Sequence, residues 1–202
     1  MPDFTYEIEA KLNGYKLICG VDEAGRGPLA GPVCAAAVIL PENCVIEGLN
    51  DSKKLTESKR EKLYDVIVEK AVAWSVAFGS VEEIEQYNIL NATFLAMNRA
   101  IDGLEVKPDY ALIDGNRVPT GIAVPCSTVV KGDSKSCSVA AASVLAKVTR
   151  DRLLLQYAKE YPEYGFEKHK GYGTAAHYAA IRQYGVTPIH RESFLKTFFE
   201  GK

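Results

Sequence analysis

Residues Leu17 to Val33 read LICGVDEAGRGPLAGPV. The apolar run Leu17-Ile18-Cys19-Gly20-Val21 has the length and character of a buried strand. It delivers two adjacent carboxylates, Asp22 and Glu23, into a segment where Gly25, Gly27 and Pro28 stop it. Neighbouring strand residues face opposite ways, so both acids serve one site only if the chain turns between them, as glycine permits. The expectation is an acidic pair at a strand's carboxyl end, facing a loop.

Downstream, Val33 to Leu40 is a second apolar run of strand length, bounded by Pro32 and Pro41. Gly48 to Lys54 is a polar loop, and Lys59 to Lys70 has helical spacing with Thr56 or Ser58 as cap. Val72 to Val81 alternates with strand period, so the first three strands should form an antiparallel meander. A helix follows over Val81 to Gly103, broken near Tyr87 to Asn91, with Leu90, Phe94, Met97 and Ile101 on one face. Tyr110 to Ile113 is a short strand, and the helix before it fits a parallel crossover. Ser127 to Lys131 is a fifth strand. Cys137 to Tyr161 is the longest helical signal, and its Ala- and Ser-rich first half can lie close against a sheet. His169 to Thr174 reads as a loop, Ala175 to Tyr184 as a helix and Phe194 to Phe199 as a last apolar turn.

The 202 residues suit one domain, 47% hydrophobic and 25% charged, as in ordinary soluble proteins. The start lacks the basic flank and apolar core of a secretory signal, and no run reaches membrane-spanning length. A cytoplasmic protein without a membrane is expected. Cys19, Cys34, Cys44, Cys126 and Cys137 lack CxxC spacing, which favours free thiols over disulfides or zinc. Charge is uneven. Residues 1 to 130 carry 12 Lys and Arg against 19 Asp and Glu, while 131 to 202 carry 12 against 7. A phosphate-binding face would therefore belong to the carboxyl-terminal third.

Three of the five strands end in an acid beside glycine or in a glycine-rich loop: Asp22-Glu23, Asp114 and Asp133. In an open α/β sheet, sites form outside the carboxyl ends of strands, and these three ends converge if strands one, four and five are neighbours. Four carboxylates in one crevice repel unless a divalent cation sits among them, and hard oxygen donors suit Mg²⁺ or Mn²⁺. Such a cluster is the protein part of a two-metal phosphoryl-transfer site.

DEAGRGPLAGPV (22–33), LNDSKKL (49–55), LIDGN (112–116), KGDS with SVAAASVLAKVTRD (131–151) and YGFEKHKGYGT (164–174) together resemble bacterial ribonuclease HII in order and spacing. The resemblance spans about Leu17 to Phe194. It implies the ribonuclease-H-like α/β fold, a five-stranded mixed sheet flanked by helices, as one catalytic domain over 1–202. Residues 162–202 would form a small helical, substrate-binding extension. It also implies that Asp22, Glu23, Asp114 and Asp133 are catalytic and hold two Mg²⁺ or Mn²⁺ ions. The activity implied is hydrolysis of the RNA strand of RNA–DNA hybrids and incision 5′ to single ribonucleotides in duplex DNA. The products carry 3′-hydroxyl and 5′-phosphate ends, and the role is ribonucleotide removal from DNA.

By the same resemblance, the backbone of Gly25-Arg26-Gly27 meets the ribose 2′-hydroxyl. Tyr172 stacks on the following sugar, Lys53 meets phosphate, and Arg191 and Ser193 lie near substrate. Asp151, deep in a helix, reads as a structural ion-pair residue as readily as a catalytic one and stays outside the metal set, and His169, His177 and His190 receive no catalytic role. A monomer is expected. Two other readings fit part of the sequence. Ribonuclease HIII would bring an extra amino-terminal domain and lack the GRG context. An inactive nucleic-acid- or sliding-clamp-binding protein is suggested by ESFLKTFF (192–199), whose Leu195, Phe198 and Phe199 have clamp-peptide spacing. The same spacing makes an apolar helix face.

Overall fold

The computed structural model describes residues 1–201; Lys202, the last residue of the expected extension, lies outside them. The strands are β1 (Ile18–Ala24), β2 (Val33–Ile39), β3 (Ala73–Gly79), β4 (Tyr110–Asp114) and β5 (Cys126–Val129). They form one mixed sheet in the order β3-β2-β1-β4-β5. The first three make the expected antiparallel meander. β4 and β5 run parallel to β1, so strands one, four and five are neighbours and their carboxyl ends lie together.

The helices are α1 (Thr5–Leu12), α2 (Glu57–Lys70), α3 (Val81–Asp102), α4 (Cys137–Glu160), α5 (Phe166–His169), α6 (Ala175–Tyr184) and α7 (Glu192–Phe199). Alternation along β2 divides the core in two. Val33, Ala35, Ala37 and Ile39 pack with Ile84, Ala92, Ala96 and Met97 of α3. Cys34, Ala36 and Val38 face the other way, toward Leu63 and Ile67 of α2 and the small residues of α4. α4 crosses β1 at close quarters, because a Cβ at Gly20 would stand 2.2 Å from the Ser138 carbonyl carbon. α3 breaks where expected: Asn88 has φ 68°, and its Oδ1 accepts from the amides of Leu90 and Asn91, capping the second half.

Two elements have no counterpart in the sequence reading. α5 is a single turn, too short to carry a period. α1 is weakly amphipathic, and one buried carboxylate holds it. Glu7 Oε1 accepts from Ser136 Oγ at 2.7 Å, Ser138 N at 2.9 Å and Ser138 Oγ at 2.6 Å, at the start of α4. A carboxylate there also complements the positive end of a 24-residue helix. Glu7→Ala is expected to cost at least about 3 kcal/mol, as charge-assisted bonds of this kind contribute roughly 1.5–3 each and do not add fully when they share one oxygen. An unchanged urea midpoint would contradict that role for Glu7.

All five cysteines are free, as expected. Among the described residues, no helix is long and apolar enough to cross a membrane. The carboxyl-terminal segment builds a third small core in which Tyr164, Phe166, Ile181, Ile189 and Leu195 pack on Leu154 of α4 and on Leu29 and Ala30 of the loop after β1. That shared core seats the extension beside the acidic strand ends.

Candidate active site

Asp22 on β1, Asp114 at the end of β4 and Asp133 in the 3-10 turn Gly132–Ser134 after β5 bring their carboxylates together. One oxygen from each lies within 4.8 Å of the others. A hydrogen bond ties the β4 and β5 ends, with Gly132 N donating to Asp114 Oδ1 at 2.6 Å. The Asp22 carboxylate accepts from Glu23 N at 2.7 Å. Burial first, then the charges of Glu23 and Asp114, push the Asp22 carboxyl well above the usual carboxylate range. Burial and the charges of Asp114 and Asp51 raise Asp133 against the opposing pull of Lys53. Three hard oxygen donors, mutually repelling and largely withdrawn from water, fit a divalent cation.

Glu23 departs from the expectation drawn from its neighbours. The chain does not turn after Asp22; β1 continues to Ala24, with Glu23 paired to Ala35. Pleating therefore sends the two carboxylates to opposite faces of the sheet. Asp22 faces α4 and Ser143, while Glu23 faces α3. There Glu23 lines a cavity of about 380 Å³ with Arg26, Phe94, Met97, Asp114 and Arg117. Its Oε1 accepts from Arg26 NH1 at 3.3 Å. Burial raises the Glu23 carboxyl, opposed by Arg26, while Asp114 adds to the rise. Asp114 is thus common to both groups.

The loop at 49–55 comes to the same place. Asp51 accepts from Lys53 N at 2.9 Å and starts the 3-10 turn Ser52–Lys54. Ser52 Oγ lies 2.8 Å from Ser143 Oγ on α4. Lys53, its side chain 75% exposed, holds its ammonium 3.9 Å from Asp133 Oδ2. Its partial burial works against the charge, but Asp22, Asp133, Asp51 and Asp114 together raise its pKa. Asp51 itself was not singled out from the sequence; as a turn acid in a polar loop it carries no signal of its own.

The GRG loop rests on two buried arginines. Arg191, fully buried, donates to the carbonyls of Gly25, Arg26, Pro28 and Gly31 at 2.7–3.0 Å. Arg150 donates to those of Ala30, Pro32 and Lys170. Arg191 was expected near substrate, and this is corrected: its guanidinium lies beneath the loop, occupied by backbone, with no surface to offer. Burial, with the like charge of Arg150, lowers Arg191 to about 9, still charged at neutral pH. Gly25 is glycine for this reason as well, since at φ +92° a Cβ would stand 1.9 Å from Arg150 Nε. Gly27 differs: a Cβ there would meet only Tyr172 Cε1, at an ordinary 3.6 Å.

Tyr172 stands across from Gly27 and is 47% exposed. Ser193 is tied to a neighbouring helix. Its amide and hydroxyl both donate to Glu85 on the first half of α3, at 3.0 and 2.8 Å, which fastens α7 to α3. Asp151 is a structural ion-pair residue, with Lys147 at 2.7 Å and Arg60 at 3.9 Å. Leu195 of α7 is wholly buried and Phe198 stacks on Tyr178, whereas Phe199 is 60% exposed. The helix-face reading of that tail is the one the fold displays.

Comparison with known proteins agrees with this geometry. The family described as Ribonuclease HII matches residues 19–199. Ribonuclease HII of Clostridioides difficile strain 630 is 56% identical over 191 residues, covering 95% of this chain and 74% of that protein. Among solved structures, ribonuclease H2 from Pyrococcus horikoshii OT3 is 29% identical with a TM-score of 0.74, covering 88% of this chain and 93% of that one. The Archaeoglobus fulgidus ribonuclease HII solved in complex with PCNA is 25% identical with a TM-score of 0.71, covering 87% and 94%. A match over nearly the whole chain, on a sheet whose strand ends carry the acids, means that this chain belongs to the ribonuclease HII family and is a ribonuclease H enzyme.

Proposed function

We propose that this enzyme, acting on RNA–DNA duplexes, also incises 5′ to a single ribonucleotide embedded in duplex DNA, leaving 3′-hydroxyl and 5′-phosphate ends. The observation that carries this reading is the adjacency of three converging strand-end carboxylates to the Gly25–Gly27 loop and Tyr172. Asp22, Asp114 and Asp133 hold divalent cations, Mg²⁺ or Mn²⁺, with Glu23 as the fourth acid on the cavity side of Asp114. Asp114 belongs to both acidic groups, which supports two cations rather than one. When bound, such ions supply an activated water and neutralise the leaving oxygen. Lys53 places a mobile positive charge beside the acids for the phosphate backbone.

Recognition belongs to the loop. Arg191 and Arg150 consume its inner carbonyls and so fix its shape, leaving the Gly27 backbone bare on the outer side for the 2′-hydroxyl. Tyr172, opposite, packs on the next sugar and favours a deoxyribose there. Gly27→Ala follows as a test. Nothing in the protein opposes that methyl, so the melting temperature should stay within about 2 °C while incision falls roughly 100-fold, the scale of an ångström's displacement. Retained incision would remove Gly27 from the site.

Residues 162–202, carrying Tyr172, serve as the substrate-binding part of a single domain, and monomeric action in the cytoplasm on damaged duplexes is the setting proposed. A sliding clamp is a further proposed partner. Its supports are the exposed Phe199 and the clamp complex of the Archaeoglobus relative. The deciding experiment incubates a duplex containing one ribonucleotide with the protein, with and without Mg²⁺, and repeats it with Asp114→Asn. Metal-dependent incision 5′ to the ribonucleotide, lost in the variant, is expected; undiminished cleavage by the variant would overturn the reading.

A further inference from the structure

Behind Tyr172 the three histidines of the chain gather in one aromatic cluster. His169 stacks on His177 with ring centroids 4.5 Å apart, and Tyr164 and Phe166 close around His177 and His190. His177 is fully buried and His190 nearly so. Their partners determine where each proton sits. The Thr187 backbone N–H can only donate, and it reaches His190 Nδ1 at 2.9 Å. His190 therefore accepts at Nδ1 and, when neutral, carries its hydrogen on Nε2. The Tyr172 carbonyl can only accept, and it lies 3.0 Å from His177 Nδ1. His177 therefore donates from Nδ1 and presents a lone pair at Nε2. The two Nε2 atoms are 3.1 Å apart, one donor facing one acceptor. Burial holds both rings down to about 4, so both are neutral at neutral pH.

The end of this chain of bonds is the backbone of Tyr172, a residue about half exposed. An exposed ring has few contacts of its own to aim it, so its direction is set by the peptide units around it. Those units are unusual: Lys170 has φ 50° and Gly171 φ +83°. The Gly171 carbonyl accepts from Leu29 N at 2.8 Å, and the Tyr172 carbonyl accepts from Thr174 N at 2.9 Å as well as from His177.

We propose a hydrogen-bond relay in which His190 fixes the tautomer of His177 and His177 donates to the Tyr172 carbonyl, holding the backbone that sets the enzyme's preference for a deoxyribose after the ribonucleotide. Both are positioning residues, since neither reaches the surface. This rests on the role given to Tyr172 above.

The test measures the ratio of cleavage rates on a single-ribonucleotide duplex and an all-RNA hybrid strand. It uses wild type, Tyr172→Ala and three replacements of His177. In His177→Asn the amide NH₂ takes the place of Nδ1–H and can still donate to Tyr172, whereas His177→Gln and His177→Phe cannot donate from that position. Asn should keep the ratio within about threefold, while Gln and Phe should lower it roughly 10- to 100-fold. If Gln and Phe keep the wild-type ratio while Tyr172→Ala loses it, the relay is wrong and the role of Tyr172 stands. If all three His177 variants lower it alike, the histidine is core packing and the relay is again wrong. If Tyr172→Ala keeps the wild-type ratio, the reading beneath fails and the relay fails with it. Should a variant not fold, ¹⁵N spectra of the wild-type histidines at pH 7 decide instead. Two neutral rings of opposite tautomer are expected, and a charged ring or two like tautomers would overturn the relay.

Discussion

Asp22→Asn should abolish metal-dependent incision while raising the melting temperature of the metal-free protein. The carboxylate is wholly withdrawn from water, faces Asp114 and Asp133 within 4.8 Å, and accepts a hydrogen bond from its neighbour's amide. An Asn oxygen can keep that bond, so replacement removes a buried like charge without leaving the amide unpaired. For activity the loss is that of a cation ligand. Partners one shell further out typically account for 10–100-fold, so a fall of at least about 1000-fold is expected. In the absence of cation, folding binds a proton that the unfolded chain has already released, because burial raises the Asp22 carboxyl. Its contribution to stability therefore declines as pH rises from the ordinary carboxylate range toward the raised folded value, and Asn escapes that decline. Thermal melts with and without Mg²⁺ test both halves. Wild type should gain stability from the ion and the variant should gain far less. An Asp22→Asn protein that melts lower than wild type without metal would show that attraction, rather than repulsion, dominates the cluster.

Arg191→Ala should be the most damaging single substitution for stability. Four carbonyls between Gly25 and Gly31 accept from this one guanidinium, and alanine would take that donor from all of them. Removing one partner from a buried charged network costs about 3–5 kcal/mol. At roughly 2–4 °C per kcal/mol for a chain of this size, the melting temperature should drop by about 6–20 °C. Arg191→Lys should recover only part of this, because one ammonium cannot span the fork of a guanidinium. Incision should fall in parallel, because the loop that carries Gly27 loses its floor. A variant with wild-type melting and cleavage would mean that the loop holds its shape without Arg191.

Much of this architecture is legible in the chain because it is local. Strand period over 72–81, the break near Asn88 and the small-residue run at 138–143 each follow from side chains a few residues apart. The acids at three strand ends are legible for the same reason, since each lies at a local change from apolar run to loop. The resemblance to ribonuclease HII grouped them as one site, and the sheet order β1-β4-β5 brought three of them within reach of one another. α1 was not legible: Glu7 looks like any surface acid until the start of α4, some 130 residues later in sequence, is laid over it.

The opening stretch marks the boundary most clearly. That an apolar strand would deliver two carboxylates to a glycine-rich loop was decided by Leu17 to Val33 alone, because hydrophobic period and glycine's freedom act over a few residues. Which way those carboxylates point was decided only in the folded sheet. Pairing with β2 carries β1 through Glu23 to Ala24, and the pleat then separates Asp22 from Glu23 across the sheet. The glycines of the loop divide in the same manner. Gly25 answers to Arg150, whereas Gly27 has nothing nearer than an ordinary contact with Tyr172, a distinction that exists only once residues 125 positions away have packed beneath the turn.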